Sequence, residues 1–513
     1  MHAHLLSRSF LVLATVALAL APAGAADKGK DLAPIVERLG ASDISTRVLA
    51  LRDMMRLAPP AKDAAPILQK MLDDPSETVR SELVWAVEEL LGESGTPMLE
   101  KLYADPERSV RDAAIQAACR MFDKSRPRDL CRAAFDDPDA NARIEVLRTL
   151  KERHPRHPEA AAIFRRGLKD DSELAQRAAV FGAQAARDPK AVDLLYSAAL
   201  ESSPMVGVPA AAEALATIAT KEAVDALIAL LPKPKGEPGK PARPEDPVRA
   251  AAARALARVK DTRALPALRK LITDPDVPVR LGAMEALMEM KDRDSVPLIA
   301  TQLQDPEERL RRFALRALRV IGDPSAAPAV RKTLHSDKLA IVRATAVSTL
   351  TDLLGDDAIA DLKKAAADLD ASVRLEVAGS LAALGGKAAP TLADMVGDEA
   401  PEVRAMAIVG LGQIGGPEQI PVLDKAALST DRRNKQVRAS VAEALGAIGS
   451  AKGLPTLTRL ASDPEPSVRQ ASADALGRIG GGQAQSLLAE LAKDKVGRVR
   501  QAARRALAAL KNP

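Results

Sequence analysis

The sequence predicts an all-α fold, an α-solenoid superhelix of about fifteen stacked helix-turn-helix units. Three observations point there. One phrase is written many times: "SDPEPSVRQASADALGRIGG", from Ser462 to Gly481, reappears as "DDPSETVRSELVWAVEELLG", "ADPERSVRDAAIQAACRMF" and "QDPEERLRRFALRALRVIG". Of the 513 residues 47% are apolar but only 2% are aromatic, so surface is buried by packing many small side chains closely, which suits helix against helix. No short run rich in Val, Ile, Thr and aromatics alternates with period two, so strands are not indicated.

The chain opens on a segment of a different kind. Arg8 supplies a positive start, and Phe10 to Ala21 is an uncharged stretch too short to span a bilayer. Ala23-Gly24-Ala25 then offers small residues at a cleavage site. Residues 1–25 read as a secretory signal peptide, with Ala26 first in the mature chain. No Cys stands near the cut to carry a lipid, and no later segment is apolar enough for a membrane span. Removing Arg8 lowers the formal net charge from +5 to +4, nearly balanced for this length, so no generic pull on nucleic acid is expected.

Residues 26–513 form the repeat array. Aligned on the Arg of the "VR" pair, the units fall at Arg47, Arg80, Arg111, Arg143, Arg177, Pro209 in place of an Arg, Arg249, Arg280, Arg311, Arg343, Arg374, Arg404, Arg438, Arg469 and Arg500. Spacings of 30 to 34 residues, with a single one of 40, exclude a mosaic of independent domains. Six residues before the Arg an Asp recurs, suited to an N-cap whose carboxylate takes an orphan backbone N–H. Pro often follows it, as at Pro75, Pro275 and Pro464, where a first helical turn tolerates it. The apolar stripe continues at helical spacing, as in Ala314, Ala317, Leu318 and Ile321, and Gly then stops the helix, as at Gly322, Gly355, Gly385, Gly415, Gly449 and Gly480. A shorter helical pattern precedes each Asp ("ALPALRKLI", "AAPILQKML", "GLPTLTRLA"). Each unit is therefore an A helix, a turn and a B helix. One such pair does not bury both its faces, so the pairs stack.

"DPxxxVRxxAAxALGxIG" after "LPxLxxLL" is similar to the short HEAT repeat of phycobilin lyase-like proteins, over about residues 31–510. Tetratricopeptide repeats want Trp, Tyr and Phe at set places, and the chain has one Trp and two Tyr. Ankyrin's Thr-Pro-Leu-His is absent. The HEAT resemblance implies a ladder in which the turn Asp and the B-helix Arg bond across neighbouring units: Asp74, Arg80, Asp105, Arg111, Asp137, Arg143, Asp274, Arg280, Asp305, Arg311, Asp337, Arg343, Asp368, Arg374, Asp398, Arg404, Asp463, Arg469, Asp494 and Arg500. A guanidinium presents fixed donors that satisfy a carboxylate and loose carbonyls together, so these residues are read as structural.

Two places depart from the pattern. Pro232 to Pro247, "PKPKGEPGKPARPEDP", excludes a packed element and reads as a loop between the A and B helices of its unit. With Pro209 in place of an Arg just before it, stacking is expected to be weakest around 204–247. At the other end Arg504 stands where earlier units carry an apolar residue, which fits a terminal helix with no neighbour, and the array is expected to end near Leu510.

No reactive constellation emerges. His154 and His157 lie in "KERHPRHPEA", where Pro155 and Pro158 deny a regular helix face, and read as part of a solvated loop; His335 stands alone in a turn. No Ser/His/Asp set, phosphate loop or zinc-spaced Cys is present, so no catalytic residue, cofactor or metal is assigned. Cys119 and Cys131, the only cysteines, fall on adjacent helices at a distance that helical periodicity does not fix; two reduced core thiols are one reading, and a disulfide, which an exported protein allows, is the other.

The concave side of such a stack, lined by B helices in this family, is the default contact surface. The fifth residue after the repeat Arg is expected to look outward, and candidate partner-binding residues there are Trp85, Arg148, Arg254, Glu285, Arg316, Glu443 and Asp474. Trp85 either anchors a partner or covers the end of the stack. The signs are mixed, unlike the basic stripe with stacking aromatics of a nucleic-acid groove, and fit a protein partner better. A local basic excess runs from Arg120 to Arg166 and reads as a solvated face. The expected function is a non-catalytic exported scaffold, periplasmic or secreted, for protein–protein interaction. The alternative is an enzyme or accessory subunit of the bilin lyase type.

Overall fold

The computed structural model describes residues 32–201, 207–232, 247–428 and 435–511, and among these every regular element is helical. The expected signal peptide at 1–25 and nearly all of the expected loop at 232–247 lie outside the described residues. The chain divides into two compact units, one up to Ala186 and one from Arg187. The first holds five helical hairpins, from Ala33–Leu39 with Ile44–Leu57 to Pro158–Gly167 with Glu173–Ala186. The second holds ten, from Val192–Glu201 with Gly207–Ile218 to Gly481–Leu491 with Gly497–Lys511.

Within each unit the B helix of one hairpin packs on the B helix of the next, and the shorter A helix covers the seam. Taking the ladder Arg of each B helix as position 0, the residues at +3, +4, +6 and +7 are sealed: Leu83, Val84, Ala86 and Val87 in the first unit, Ala314, Leu315, Ala317 and Leu318 in the second, all at 0% exposure. Small and large side chains alternate around this stripe, so one helix lies close to its neighbour while Leu and Val fill the space beneath. In the C-terminal hairpins the approach is closest. Position +8 is Gly412, Gly446 and Gly477, and a Cβ there would sit 2.6 to 2.7 Å from Ala444, Ala475 and Ala506, each at position +6 of the following B helix. The first Gly of the "ALGxIG" phrase is thus a packing residue, and only the second ends a helix.

That second site shows what the repeat demands of its backbone. The chain turns left-handed at Gly322, Gly385, Gly415, Gly449 and Gly480, all at position +11, and at Gly92 and Gly355 one residue later. The same positive φ occurs without Gly at Ala58, Lys260 and Lys291, again at +11. Arg187 and Ala219 share it, which places position 0 of their helices at Gln176 and Val208. The sequence alignment on Arg177 and Pro209 was therefore one residue late in both units. Burial agrees: Val180, at +4 in the corrected register, is 2% exposed, and Phe181 is 36% exposed.

The turn Asp also sits elsewhere than the capping rule suggests. The B helix of the second hairpin is Glu77–Leu91 with Ser76 as its N-cap, two residues beyond Asp74. Asp74 accepts the Ser76 backbone N–H at 2.9 Å, and Asp105, Asp274, Asp368 and Asp463 bond the residue two ahead in the same way. The Asp makes a turn before the helix rather than its cap, because its carboxylate also has to face the preceding repeat. The Pro after it lies in that turn, outside the first helical turn.

Candidate interaction surface

The ladder fixes where every B helix points. Arg80 donates from Nε and Nη2 to the Asp105 carboxylate at 2.6 and 2.9 Å, and from Nη1 to its own repeat's Asp74 carbonyl at 2.6 Å. Each planar fork therefore joins one turn to the next. The same arrangement holds for Arg47–Asp74, Arg143–Asp170, Arg311–Asp337, Arg343–Asp368, Arg374–Asp398 and Arg469–Asp494, with shortest distances of 2.7 to 2.8 Å. Arg249 bonds Asp274, and Arg438 bonds Asp463. Arg280 reaches Asp305 with Nη2 alone at 3.1 Å, leaving its buried Nε without a partner.

Four further ladder positions differ, besides that of Val208. Arg111 keeps its bonds to the Asp105 and Pro106 carbonyls, but the Asp137 carboxylate is held by the Tyr103 hydroxyl, so the rung expected from Arg111 to Asp137 is replaced. Burial, and then the bond to Asp137, push the Tyr103 hydroxyl well above its usual pKa. Gln176 donates to the Asp170 carbonyl at 2.6 Å in the place of an Arg, while Arg177 stacks on the Phe181 ring at 5.7 Å. Arg404 bonds the Asp398 and Glu399 carbonyls, and residues 429–434, about one repeat further on, lie outside the described residues. Arg500, on the last B helix, bonds the carbonyls of Asp494 and Lys495.

With the helices held this way, position +5 looks outward. In the first unit it carries Arg52, Trp85, Gln116, Arg148 and Phe181. Trp85 is 49% exposed, with the Arg120 guanidinium 4.4 Å from its ring centroid. Glu88 holds the same guanidinium, with Arg120 Nε donating to Glu88 Oε1 at 2.8 Å. The indole is thus oriented with one face stacked, a geometry that favours an anchor over a cover for the end of the unit. Arg52 pairs with Glu82 at 2.8 Å, and Gln116 bonds Glu145 at 2.8 Å, each linking +5 to +2 of the next helix. Neither Arg120 nor Glu82 stood out in the sequence. Their signal was the spacing of about one repeat to Trp85 and Arg52, legible only with the helix faces in hand.

In the second unit position +5 carries exposed Arg254, Arg316 and Glu443 and half-buried Glu285 and Asp474. A groove of about 620 Å³ crosses the helices Gly207–Ile218, Pro247–Val259 and Val277–Glu289, with Ala251, Ala255 and Ala257 as its floor. Glu213 pairs with Arg258, and Lys260 with Glu289 at 3.1 Å, along its walls. The rim is charged in both signs and the floor is methyl groups.

The histidines and cysteines come together in the first unit. Cys119 and Cys131 are joined as a disulfide that closes the turn between two hairpins, and both are fully buried. His154 and His157 are not solvated: both are half-buried against Phe122, His157 edge-on with centroids 5.1 Å apart, and His154 Nε2 lies 2.8 Å from the Arg120 carbonyl. They pack into the turn, and no cluster of metal-binding side chains occurs among the described residues. His335 lies in the last turn of the helix Ala327–Ser336. In the basic stretch from Arg120 to Arg166, Arg120, Arg128, Arg132, Arg143, Arg148 and Arg166 each pair with a carboxylate.

A family model of HEAT repeats matches residues 32–119, 96–180, 242–307, 279–351, 296–382, 359–434 and 426–508. The chain belongs to the HEAT-repeat family. No curated protein sequence matches it at a significant level. Among solved structures, this HEAT-repeat chain is similar to the karyopherin Kap121p bound to the extreme C-terminus of the protein phosphatase Cdc14p, with 12% identity, a TM-score of 0.57, and coverage of 93% of this chain and 70% of that one. Kap121p bound to Nup53p gives 13% identity and a TM-score of 0.57, covering 93% of this chain and 64% of that one. At those identities the likeness is one of fold, an α-solenoid. The CpcE–CpcF complex of the phycocyanin lyase of Nostoc sp. PCC7120 shares 26% identity over 45% of this chain and 92% of that one, with a TM-score of 0.28.

Proposed function

We propose that this HEAT-repeat protein is a non-catalytic, exported scaffold that binds protein partners along its exposed B-helix face. The observation that carries the reading is the character of position +5. The repeat fixes everything around it, yet the residue there changes from helix to helix, with Trp85, Arg148, Arg254, Glu285, Arg316, Glu443 and Asp474 turned outward or half-buried. Individual, mixed side chains on a rigid frame suit recognition of one protein surface. The solenoids of similar fold also hold protein segments, the extreme C-terminus of Cdc14p in one case and Nup53p in another. Support for export comes from the apolar segment at 10–21 and from the disulfide between Cys119 and Cys131, a bond suited to an oxidising compartment. No helix of the described residues is long and apolar enough to cross a membrane.

Crosslinking in the native host followed by mass spectrometry tests the reading. Crosslinks from the B-helix face to one or a few proteins are expected, and Trp85→Ala is expected to weaken that capture. Crosslinks confined to the A helices would overturn the assignment. N-terminal sequencing of the secreted fraction is expected to begin at Ala26. A coloured protein on purification would favour the bilin lyase alternative instead.

A further inference from the structure

The second unit narrows the chemistry of the partner, on the reading that its B-helix face receives one. On the successive helices Pro247–Val259, Val277–Glu289 and Glu308–Ile321, position +5 is Arg254, Glu285 and Arg316. The signs run plus, minus, plus. Arg254 and Arg316 are exposed and Glu285 is half-buried. Among the described residues none of the three has an ion-pair partner within 4.0 Å, although their neighbours Arg258, Lys260 and Glu289 are all paired. Three unpaired charges of alternating sign therefore stand in a row, and the first two, Arg254 and Glu285, line the groove floored by alanine methyls.

Spacing selects the conformation of what lies there. Packed helices sit about 8–10 Å apart. A polyproline II chain turns every three residues and rises about 3.1 Å per residue, so its side chains at i, i+3 and i+6 share one face about 9 Å apart. A β-strand reverses its face over three residues and misses the match. An α-helix reaches the same spacing only with charges seven residues apart, about 10 Å at 1.5 Å per residue, a pattern the peptides below separate. We propose that this strip receives a polyproline II segment of a partner protein with acidic, basic and acidic side chains three residues apart. Arg254 and Arg316 take the two carboxylates in their forks, and Glu285 takes the central cation.

Fluorescein-labelled peptides of about nine residues in a Ser/Pro background, carrying every combination of signs at three-residue spacing, test this by anisotropy at low salt. The acidic-basic-acidic peptide is expected to bind the full-length protein roughly tenfold tighter than its charge inverse, and salt of about 1 M to erase the difference. The triple variant Arg254→Glu, Glu285→Lys, Arg316→Glu, confirmed as folded by circular dichroism, is expected to reverse the order. Equal binding of all patterns, an order unchanged by the triple variant, or tighter binding of a helical peptide with the same charges seven residues apart would each overturn the proposal. Native crosslinks that fall on the Trp85 face and spare this strip would leave the scaffold reading standing and remove this one.

Discussion

Arg343 holds two turns with one planar group. Its Nη1 donates to the Asp337 carbonyl at 2.9 Å, while Nε and Nη2 each lie 2.8 Å from the Asp368 carboxylate. Arg343→Ala would leave the shielded Asp368 carboxylate with only the Asp370 N–H as donor and take the Arg343 donor from the Asp337 carbonyl, at a cost of about 3 kcal/mol. Calorimetry should show a lowered Tm, and partner capture at physiological temperature should persist. The pair also sets a pH response. The bond from Arg343, opposed by burial, holds the Asp368 carboxyl below the usual carboxylate range, and Arg469 does the same for Asp494. A carboxyl depressed in the folded chain stabilises it above the unfolded value of about 4, and that contribution drains away as pH falls through and below it. Tm is expected to be flat above about pH 5 and to drop in acid, with a shallower drop in Asp368→Asn, which starts from a lower Tm. Unchanged acid sensitivity in that variant would remove the ladder as the cause.

Each B helix ends on the same backbone requirement whatever the residue. Lys291 is held at φ 50° where other repeats have Gly. A side chain in that region costs about 1 kcal/mol, partly offset by the extra freedom of Gly in the unfolded chain, so Lys291→Gly is expected to raise stability by a few tenths of a kcal/mol to about 1. The opposite holds at the helix seams. A Cβ at Gly446 would meet the Ala475 Cα at 2.7 Å, and Gly446→Val should cost at least about 1–3 kcal/mol, read from urea unfolding. Both effects explain what was legible in the sequence and what was not. The period, the pairing of A with B helices and the ladder residues were plain, because they repeat. The register at Gln176 and Val208 was not, because Arg177 and Pro209 stand beside the true positions, and it takes the left-handed residues Arg187 and Ala219 and the burial of Val180 to betray them. The Asp was mistaken for a cap because an Asp-Pro before a helix satisfies the same sequence rule as a turn two residues earlier. The Tyr103–Asp137 bond was hidden because the two residues lie a full repeat apart.

Across each unit, contacts run chiefly between adjacent hairpins, so stability is close to a sum of local terms. Urea unfolding followed by far-ultraviolet circular dichroism is expected to depart from two-state behaviour, with Arg80→Ala moving only the transition that includes the first unit. The disulfide adds a second handle on that unit. It joins residues 12 apart, and Cys119→Ser should cost about 3 kcal/mol and leave the second unit's transition in place. Mass spectrometry with and without reductant measures the bond directly. The candidate surface was partly readable at this scale. Its positions follow from the period, but the stacking of Arg120 on Trp85 and the alanine floor beside Arg254 depend on which faces of neighbouring helices meet.

The two-sided grip of the ladder bears on how such a chain changes length. Excising one whole period, 312–343, would bring Arg311 opposite Asp368, a partner chemically identical to the Asp337 it lost, and no donor would be orphaned. Duplication closes in the same way. Shortening or growth by one complete module is thus nearly neutral for the joint itself, so selection can tune the reach of the molecule in steps of one hairpin while leaving every splice sound.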